Sequence, residues 1–317
     1  MNTSTCVYLG DALARYHFGQ SHPFGPLRYP AFKDAFYRLG LDQLTDIREA
    51  VKGTDEQVLR FHTLKYLNKV KAYSKMGGGY LDECDTPAFA GVYEAALAVV
   101  GTTLDALAQI MTGQCRYAFT PIAGLHHARR DSAAGFCVFN DCGIAIETLR
   151  SEYQVKKIAY VDIDAHHGDG VYYSFADDPD VTIVDIHEDG KTLYPGTGDS
   201  AETGDGTAAG SKRNIPLPMG AGDAQFFEVW QQAEAFLAAA KPEVILLQCG
   251  ADSLAGDPIT HLQYTSATHA HATQRLVTLA EKYSHGRLLV MGGGGYNLEN
   301  IVTAWTSVVR ALVDATH

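Results

Sequence analysis

The sequence predicts an α/β protein: one continuous domain in which a parallel β-sheet is covered by helices on both faces. Three observations predict it. Five apolar strand-like runs recur along the 317 residues, at 116–124, 157–164, 181–187, 243–250 and 287–293. Helix-like stretches lie between or after them, the alternation that parallel sheets with crossover helices produce. No internal repeat, low-complexity tract or Pro/Ser-rich linker divides residues 1–317, which read as a single domain.

In chain order, the first long helical stretch is "AFAGVYEAALAVVGTTLDALAQIM" (88–111), rich in alanine. "RYAFTPIAG" (116–124) follows as a strand and "NDCGIAIETLRSEY" (140–153) as a helix with apolar residues at helical spacing. "KIAYVDID" (157–164) and "VTIVDIH" (181–187) are the next strands. "AQFFEVWQQAEAFLAAA" (224–240) is helical, "EVILLQCG" (243–250) a strand, "TSATHAHATQRLVTLAEKY" (265–283) helical and "RLLVMGG" (287–293) a strand. "NLENIVTAWTSVVRALVDA" (297–315) closes the pattern as a helix.

Bulk properties narrow the function. Hydrophobic residues make up 46% and charged residues 20%, ordinary for a globular protein. The formal net charge of −12 argues against nucleic acid as a direct partner, because affinity for it comes from phosphate neutralisation, and suits a cationic substrate. No apolar run is expected to reach the ~18–20 residues of a membrane helix. The first residues lack the basic-then-apolar order of a signal peptide. Six cysteines, at 6, 84, 115, 137, 142 and 249, form no CxxC pair, which fits reduced thiols in a cytoplasmic protein.

The chemistry is concentrated where strands end. Four of the five strand-like runs lead at once into "LHHARRDSAAGFC", "AHHGDG", "ADSLAGDP" or "GGYN". In parallel sheets ligands sit beyond the carboxyl ends of the strands, so these four segments are expected at one edge. Asp162 and Asp164 alternate onto the same side, and His166 follows near the strand end. With Asp257 of "AGDP" from a neighbouring strand end, Asp164 and His166 would make a three-ligand site with an open position, the pattern of catalytic zinc. Such a donor set also accepts Fe²⁺, Mn²⁺ or Co²⁺. Asp162, one step deeper, needs a buried partner, and the tandem His126-His127 can supply it. Asp169 can serve the second imidazole, giving two His–Asp pairs for acid/base work. The four glycines 292–295 allow close backbone approach and carry Tyr296, whose hydroxyl could donate to a developing oxyanion or simply pack beside a Gly-rich turn.

The segments "GLHHARRDSAAGFCVFND", "YVDIDAHHGDGV", "YPGTGD", "QCGADSLAGDP" and "GGGGYN" occur in this order. With them the chain resembles zinc-dependent histone deacetylase-like proteins, a superfamily that includes bacterial acetoin-utilisation proteins and acetylpolyamine amidohydrolases. The resemblance runs from about residue 16 to 312. It implies an arginase/deacetylase fold with a central eight-stranded parallel sheet, and hydrolysis of acetyl or short acyl groups from lysine ε-amines. Asp164, His166 and Asp257 are implied as Zn²⁺ ligands (or ligands of Fe²⁺ or another divalent ion), His127 as general base and acid beside His126, and Asp162 and Asp169 as their carboxylate partners. Tyr296 is implied as the transition-state tyrosine. Gly135, Phe136, Tyr194 and Tyr264 are implied around the substrate, Phe136 and Tyr194 as tunnel walls, with Asp85 at the rim and Arg28 near an acetate exit. A K⁺ ion is implied beside Asp162, Asp164, His166, Asp185 and Ile186. Two positions depart from many relatives: Tyr194, where Phe is common, and Asp185, where Ser is common.

The implied substrate is an acetyl-lysine protein or peptide, with an acetylated polyamine second. Two readings from other classes remain: a dinuclear ureohydrolase of the arginase type, and a catalytically silent module that binds acyl-lysine. Oligomeric state is not legible in the sequence.

Overall fold

The computed structural model describes residues 5–83 and 85–315; Cys84 lies outside the described residues. Eight strands form one sheet: β1 (Thr5–Leu9), β2 (Asp46–Glu49), β3 (Tyr117–Thr120), β4 (Ile158–Asp162), β5 (Val181–Glu188), β6 (Lys212–Leu217), β7 (Val244–Gln248) and β8 (Leu288–Met291). Their order is β2-β1-β3-β8-β7-β4-β5-β6, and every neighbouring pair is parallel. The α/β class and the eight-stranded parallel sheet are as expected.

Four of these strands fall inside the apolar runs, and β5 coincides with its run but for Glu188. Strands covered on both faces lose the inside/outside alternation and read as continuous hydrophobic stretches, as in the fully buried "VILLQ" of β7. The other three give a weaker signal. β2 ("DIRE") and β6 ("KRNIPL") are edge strands, where charge and proline are tolerated and discourage pairing with a second chain. β1 ("TCVYL") is interior and fully buried but starts with a threonine and a cysteine, so no long apolar run marks it.

The principal helices are α1 (Arg28–Arg38), α2 (Leu64–Met76), α3 (Val92–Met111), α4 (Asp141–Ser151), α5 (Asp169–Ser174), α6 (Asp223–Ala240), α7 (Ser266–Tyr283) and α8 (Leu298–Asp314). Contacts sort the long ones into two groups: α1, α8, α7 and α6 pack in succession, as do α2, α3 and α4. β8 is touched by α3 from one group and α7 from the other, so the sheet is covered on both faces. Side-chain caps start α4, α7 and α8: Asn140 accepts from the Gly143 N–H, Thr265 from Ala267, and Asn297 from Glu299 and Asn300.

One expectation is corrected here. By length and composition α3, with 20 residues, is apolar enough to cross a membrane, and 72% of the relevant stretch is buried inside the protein. Its alanines and glycine let it pack closely in the core, which explains an apolarity that the membrane criterion also detects. Among the described residues, cysteines 6, 115, 137, 142 and 249 are free and buried.

The sheet places the site through its register. Thr120, Met291, Gln248, Asp162 and Asp185 are successive partners across β3, β8, β7, β4 and β5. The first four of these residues also end their strands. Four loops therefore leave the sheet from one row, and they are the four segments that the sequence marks as unusual.

Candidate active site

The loop after β4 and the short turn Ala251–Ser253 after β7 bring three side chains together. Asp164, His166 and Asp252 are all buried, and each offers one ligand atom within 4.8 Å of the others. His166 Nδ1 lies 3.0 Å from Asp164 Oδ1 and 3.1 Å from Asp252 Oδ2. The remaining carboxylate oxygens are held elsewhere. Asp164 Oδ2 accepts from Gln248 Nε2 at 2.8 Å and from the Gly294 N–H at 2.9 Å, and Asp252 Oδ1 accepts from the Ala165 N–H at 3.0 Å. Burial opposes a charge on His166, yet Asp164 and Asp252 outweigh it and push the imidazole up to about 10. The pocket thus favours positive charge at its centre. Ligands about 2.0–2.1 Å from a tetrahedral ion are about 3.3 Å apart, so oxygen and nitrogen donors at this spacing fit a divalent cation.

Two acids of "ADSLAGDP" stand beside His166. Asp252, in the first turn off β7, makes the close contact with the imidazole. Asp257, the expected ligand, is buried five residues further along and close enough to act electrostatically on His166 and Asp252. Its Oδ2 accepts the Tyr296 N–H at 2.8 Å and its Oδ1 the Ile259 N–H at 3.1 Å, which orients the carboxylate and leaves each oxygen a second lone pair.

The expected His–Asp pairs are present. His126 Nδ1 is 2.8 Å from Asp162 Oδ2, and His127 Nδ1 is 2.7 Å from Asp169 Oδ1. Asp162 also accepts the Tyr160 hydroxyl at 2.6 Å and the Asp164 N–H at 3.1 Å, and Arg129 donates to Asp169 at 3.2 Å. The two Nε2 atoms lie 3.0 Å apart. Burial works against the charged form in both rings. In His126 the carboxylates of Asp162 and Asp164 overcome it and raise the group to about 10. In His127 burial and the neighbouring His126 prevail over Asp169, lowering it to about 4. Environment thus separates two adjacent imidazoles into one that keeps its proton and one that can take one.

A cavity of about 200 Å³ opens above these groups, lined by Asp85, His127, Gly135, Phe136, His166, Leu193, Tyr194, Ile259 and Tyr296. Gly135 and Phe136 both adopt positive φ, +53° and +66°, and a Cβ on Gly135 would lie 2.5 Å from the His127 ring. This strained turn aims Phe136 into the wall. Phe136 is held there by its N–H on Thr86 and by the Tyr16 hydroxyl on its carbonyl. The Tyr194 ring stands edge-on to His127 at 5.1 Å, and Phe136 faces Tyr296 edge-on at 5.7 Å. Burial raises the Tyr296 phenol well above its ordinary value, so it remains a donor. At the mouth, burial and Asp82 raise Asp85 to about 6.

Two rim and core placements differ from the sequence reading. Tyr264 is corrected: it is 1% exposed, packs against Phe226 and does not line this cavity. His22, which the sequence did not single out, packs edge-on against Phe136 at 4.5 Å and lies 3.1 Å from the Asp85 carbonyl. Arg28 is buried behind Tyr296, donating to the carbonyls of Gly293 and Gly295 at 2.7 Å each. At the implied K⁺ site, His187 Nδ1 meets Asp185 Oδ1 at 2.7 Å and the Gly168 N–H meets Oδ2 at 2.9 Å, and Ile186 is a buried strand residue.

Fold and site together define a deacetylase-type hydrolase. The histone deacetylase domain family matches residues 22–312, and the chain belongs to that family. The acetoin utilization protein AcuC of Bacillus subtilis (strain 168) is 37% identical over 317 residues, covering 97% of this chain and 81% of its own. AcuC of Staphylococcus xylosus is 32% identical over 325 residues, covering 99% and 83%. Among solved structures, the HDA15 HD domain superposes with a TM-score of 0.91 at 28% identity, covering 99% of this chain and 89% of that one.

Proposed function

We propose that the protein is a cytoplasmic, divalent-metal-dependent amidohydrolase that removes acetyl groups from lysine side chains of proteins or peptides, releasing acetate. One observation carries the reading: His166 of the buried Asp–His–Asp cluster, the neutral His127 and the phenol of Tyr296 line one narrow, aromatic-walled cavity. Zn²⁺ is the favoured ion for this donor set; held by Asp164, His166 and Asp257, with Asp252 against His166, it would polarise the amide carbonyl and acidify a water.

The chain's own groups supply the rest. Phe136 and Tyr194 flank the methylene stem, excluding water and orienting the amide. His127 lines the cavity, so its neutral ring is the one positioned to take the water proton and return it to the leaving amine. His126, keeping its proton against Asp162, contributes positive charge beside the reacting centre. Tyr296 donates its hydroxyl to the developing oxyanion. Asp85, at the mouth, accepts from the substrate backbone or from a second amine.

The test is acetate release by the metal-loaded protein from acetyl-lysine peptides and from N-acetylputrescine and N-acetylcadaverine. Faster turnover of peptides is the expected result. Preference for the acetylated diamines would shift the substrate to polyamines. Absence of turnover on any acylated amine, with hydroxamates still bound, would leave an acyl-lysine binding module instead.

A further inference from the structure

Gln248 ends β7 in the register row that holds Asp162 and Met291, and it is fully buried. A primary amide has two N–H donors and one carbonyl acceptor. Here the amide reaches three strand exits at once. Its Nε2 donates to Asp164 Oδ2 at 2.8 Å and to the Gly124 carbonyl at 3.2 Å, while its Oε1 accepts the Gly250 N–H at 2.8 Å. These partners follow β4, β3 and β7 respectively. Only this orientation is satisfied: a flipped amide would set its oxygen against two acceptors and its NH₂ against an N–H.

The neighbourhood is shaped around this amide. A Cβ on Gly293 would lie 2.3 Å from Gln248 Nε2, and one on Gly124 would lie 3.0 Å from Gln248 Cγ. The donor also goes to a particular oxygen. Asp164 Oδ1 faces His166 Nδ1 and accepts the His166 N–H, whereas Oδ2 is held by Gln248 and the Gly294 N–H. Gln248 is thus the one side-chain amide among the donors that fix the rotation of the Asp164 carboxylate, and it anchors the turn after β7 through Gly250.

We propose that Gln248 is a positioning residue that sets the Asp164 carboxylate and the turn leaving β7 for divalent-cation binding, and so tunes the affinity of the site. This inference rests on the metal cluster of the proposed deacetylase. Outer partners of metal ligands typically change affinity by about 10–100-fold when removed.

Full-length wild type would be compared with Q248E, which is isosteric but turns a donor toward Asp164 into an acceptor, and with Q248N, which keeps the amide but shortens its reach. Zn²⁺ affinity is read by competition with a chromophoric chelator, and coordination by the visible absorption of the Co²⁺-loaded protein; neither depends on turnover. The expected outcome is about 10–100-fold weaker Zn²⁺ binding and an altered Co²⁺ spectrum in Q248E, with a smaller change in Q248N. Q248N covers the case in which Q248E does not fold. Wild-type affinity and spectrum in either folded variant overturn the proposal while leaving the deacetylase reading intact. Failure of the wild type itself to bind either ion overturns the metal cluster, and this proposal with it.

Discussion

Two acids five positions apart in one segment stand beside His166, and single substitutions separate them. Asp252 turns Oδ2 toward His166, and Asp257 accepts the N–H groups of Tyr296 and Ile259, one on each oxygen. Asp257→Asn is expected to weaken Zn²⁺ binding in a chelator competition, as the proposed third ligand. Unchanged binding in Asp257→Asn with loss in Asp252→Asn would assign that position to Asp252. Tyr296→Phe removes one oxyanion donor and should reduce kcat by about 10²–10³ with little change in KM. A drop confined to KM would assign Tyr296 to binding alone. The same residues show what the sequence could reveal. Asp162, Asp164 and His166 were legible because strand alternation fixes their sides, and the pairing of His126 and His127 with Asp162 and Asp169 followed from the need to partner buried acids. The contact of Asp252 with His166 was not legible because the sequence carries two acids in one segment and does not say how the chain leaves the strand. His22 and Gln248 were missed because each acts through a distant segment: Gln248 contacts residues 84 and 124 positions away.

At the scale of elements, the strands that the sequence reveals are apolar and buried, and two of the three it hides, β2 and β6, lie at the sheet edges. Helix α3 was equally visible, though its glycine does not follow from helix propensity. Gly101 sits inside the helix, where alanine would ordinarily gain about 1 kcal/mol. A Cβ there would lie 2.2 Å from the Gly53 nitrogen and 2.4 Å from the Val51 oxygen, both backbone atoms that cannot swing aside. The Gly53 N–H donates to the Leu97 carbonyl at 2.8 Å, and the Thr102 hydroxyl accepts from the Val51 N–H at 3.0 Å, so helix and loop are joined on either side of that contact. Overpacking of this kind costs about 1–3 kcal/mol. Sterics should outweigh propensity, and Gly101→Ala should lower the Tm by several degrees in a thermal melt. A stabilised variant would mean that the 51–53 loop moves away freely.

The whole molecule carries a balance of buried titrating groups whose effects on stability oppose one another. Burial lowers His62 to about 3 and His269 to about 4, while Asp85, Asp162 and Asp252 are raised to about 6, 6 and 7. A histidine depressed below its unfolded value of about 6.5 is charged in the unfolded chain before it is charged in the folded one. Below pH 6.5 the unfolded state therefore binds more protons at these rings, and acidification destabilises the fold. A raised carboxyl has the opposite sign, binding its proton in the folded state first. The two sets oppose one another between pH 6.5 and 5, so the overall acid response does not report on any one group. Subtraction isolates one. His62 Nε2 accepts the N–H of Asn140, the residue that caps α4 and whose side chain holds the Ala128 carbonyl just after the tandem histidines. His62→Gln removes the titration and should be less stable than wild type at pH 7.5. As the pH falls below 6.5 the wild type alone pays for keeping this ring neutral, so the gap should narrow by about 1.4 kcal/mol per pH unit. Urea unfolding of chelator-treated protein at pH 7.5, 6.0 and 5.0 measures the gap directly. A gap that stays constant over this range would mean that His62 is not held neutral, and that the Asn140 cap does not depend on its protonation state.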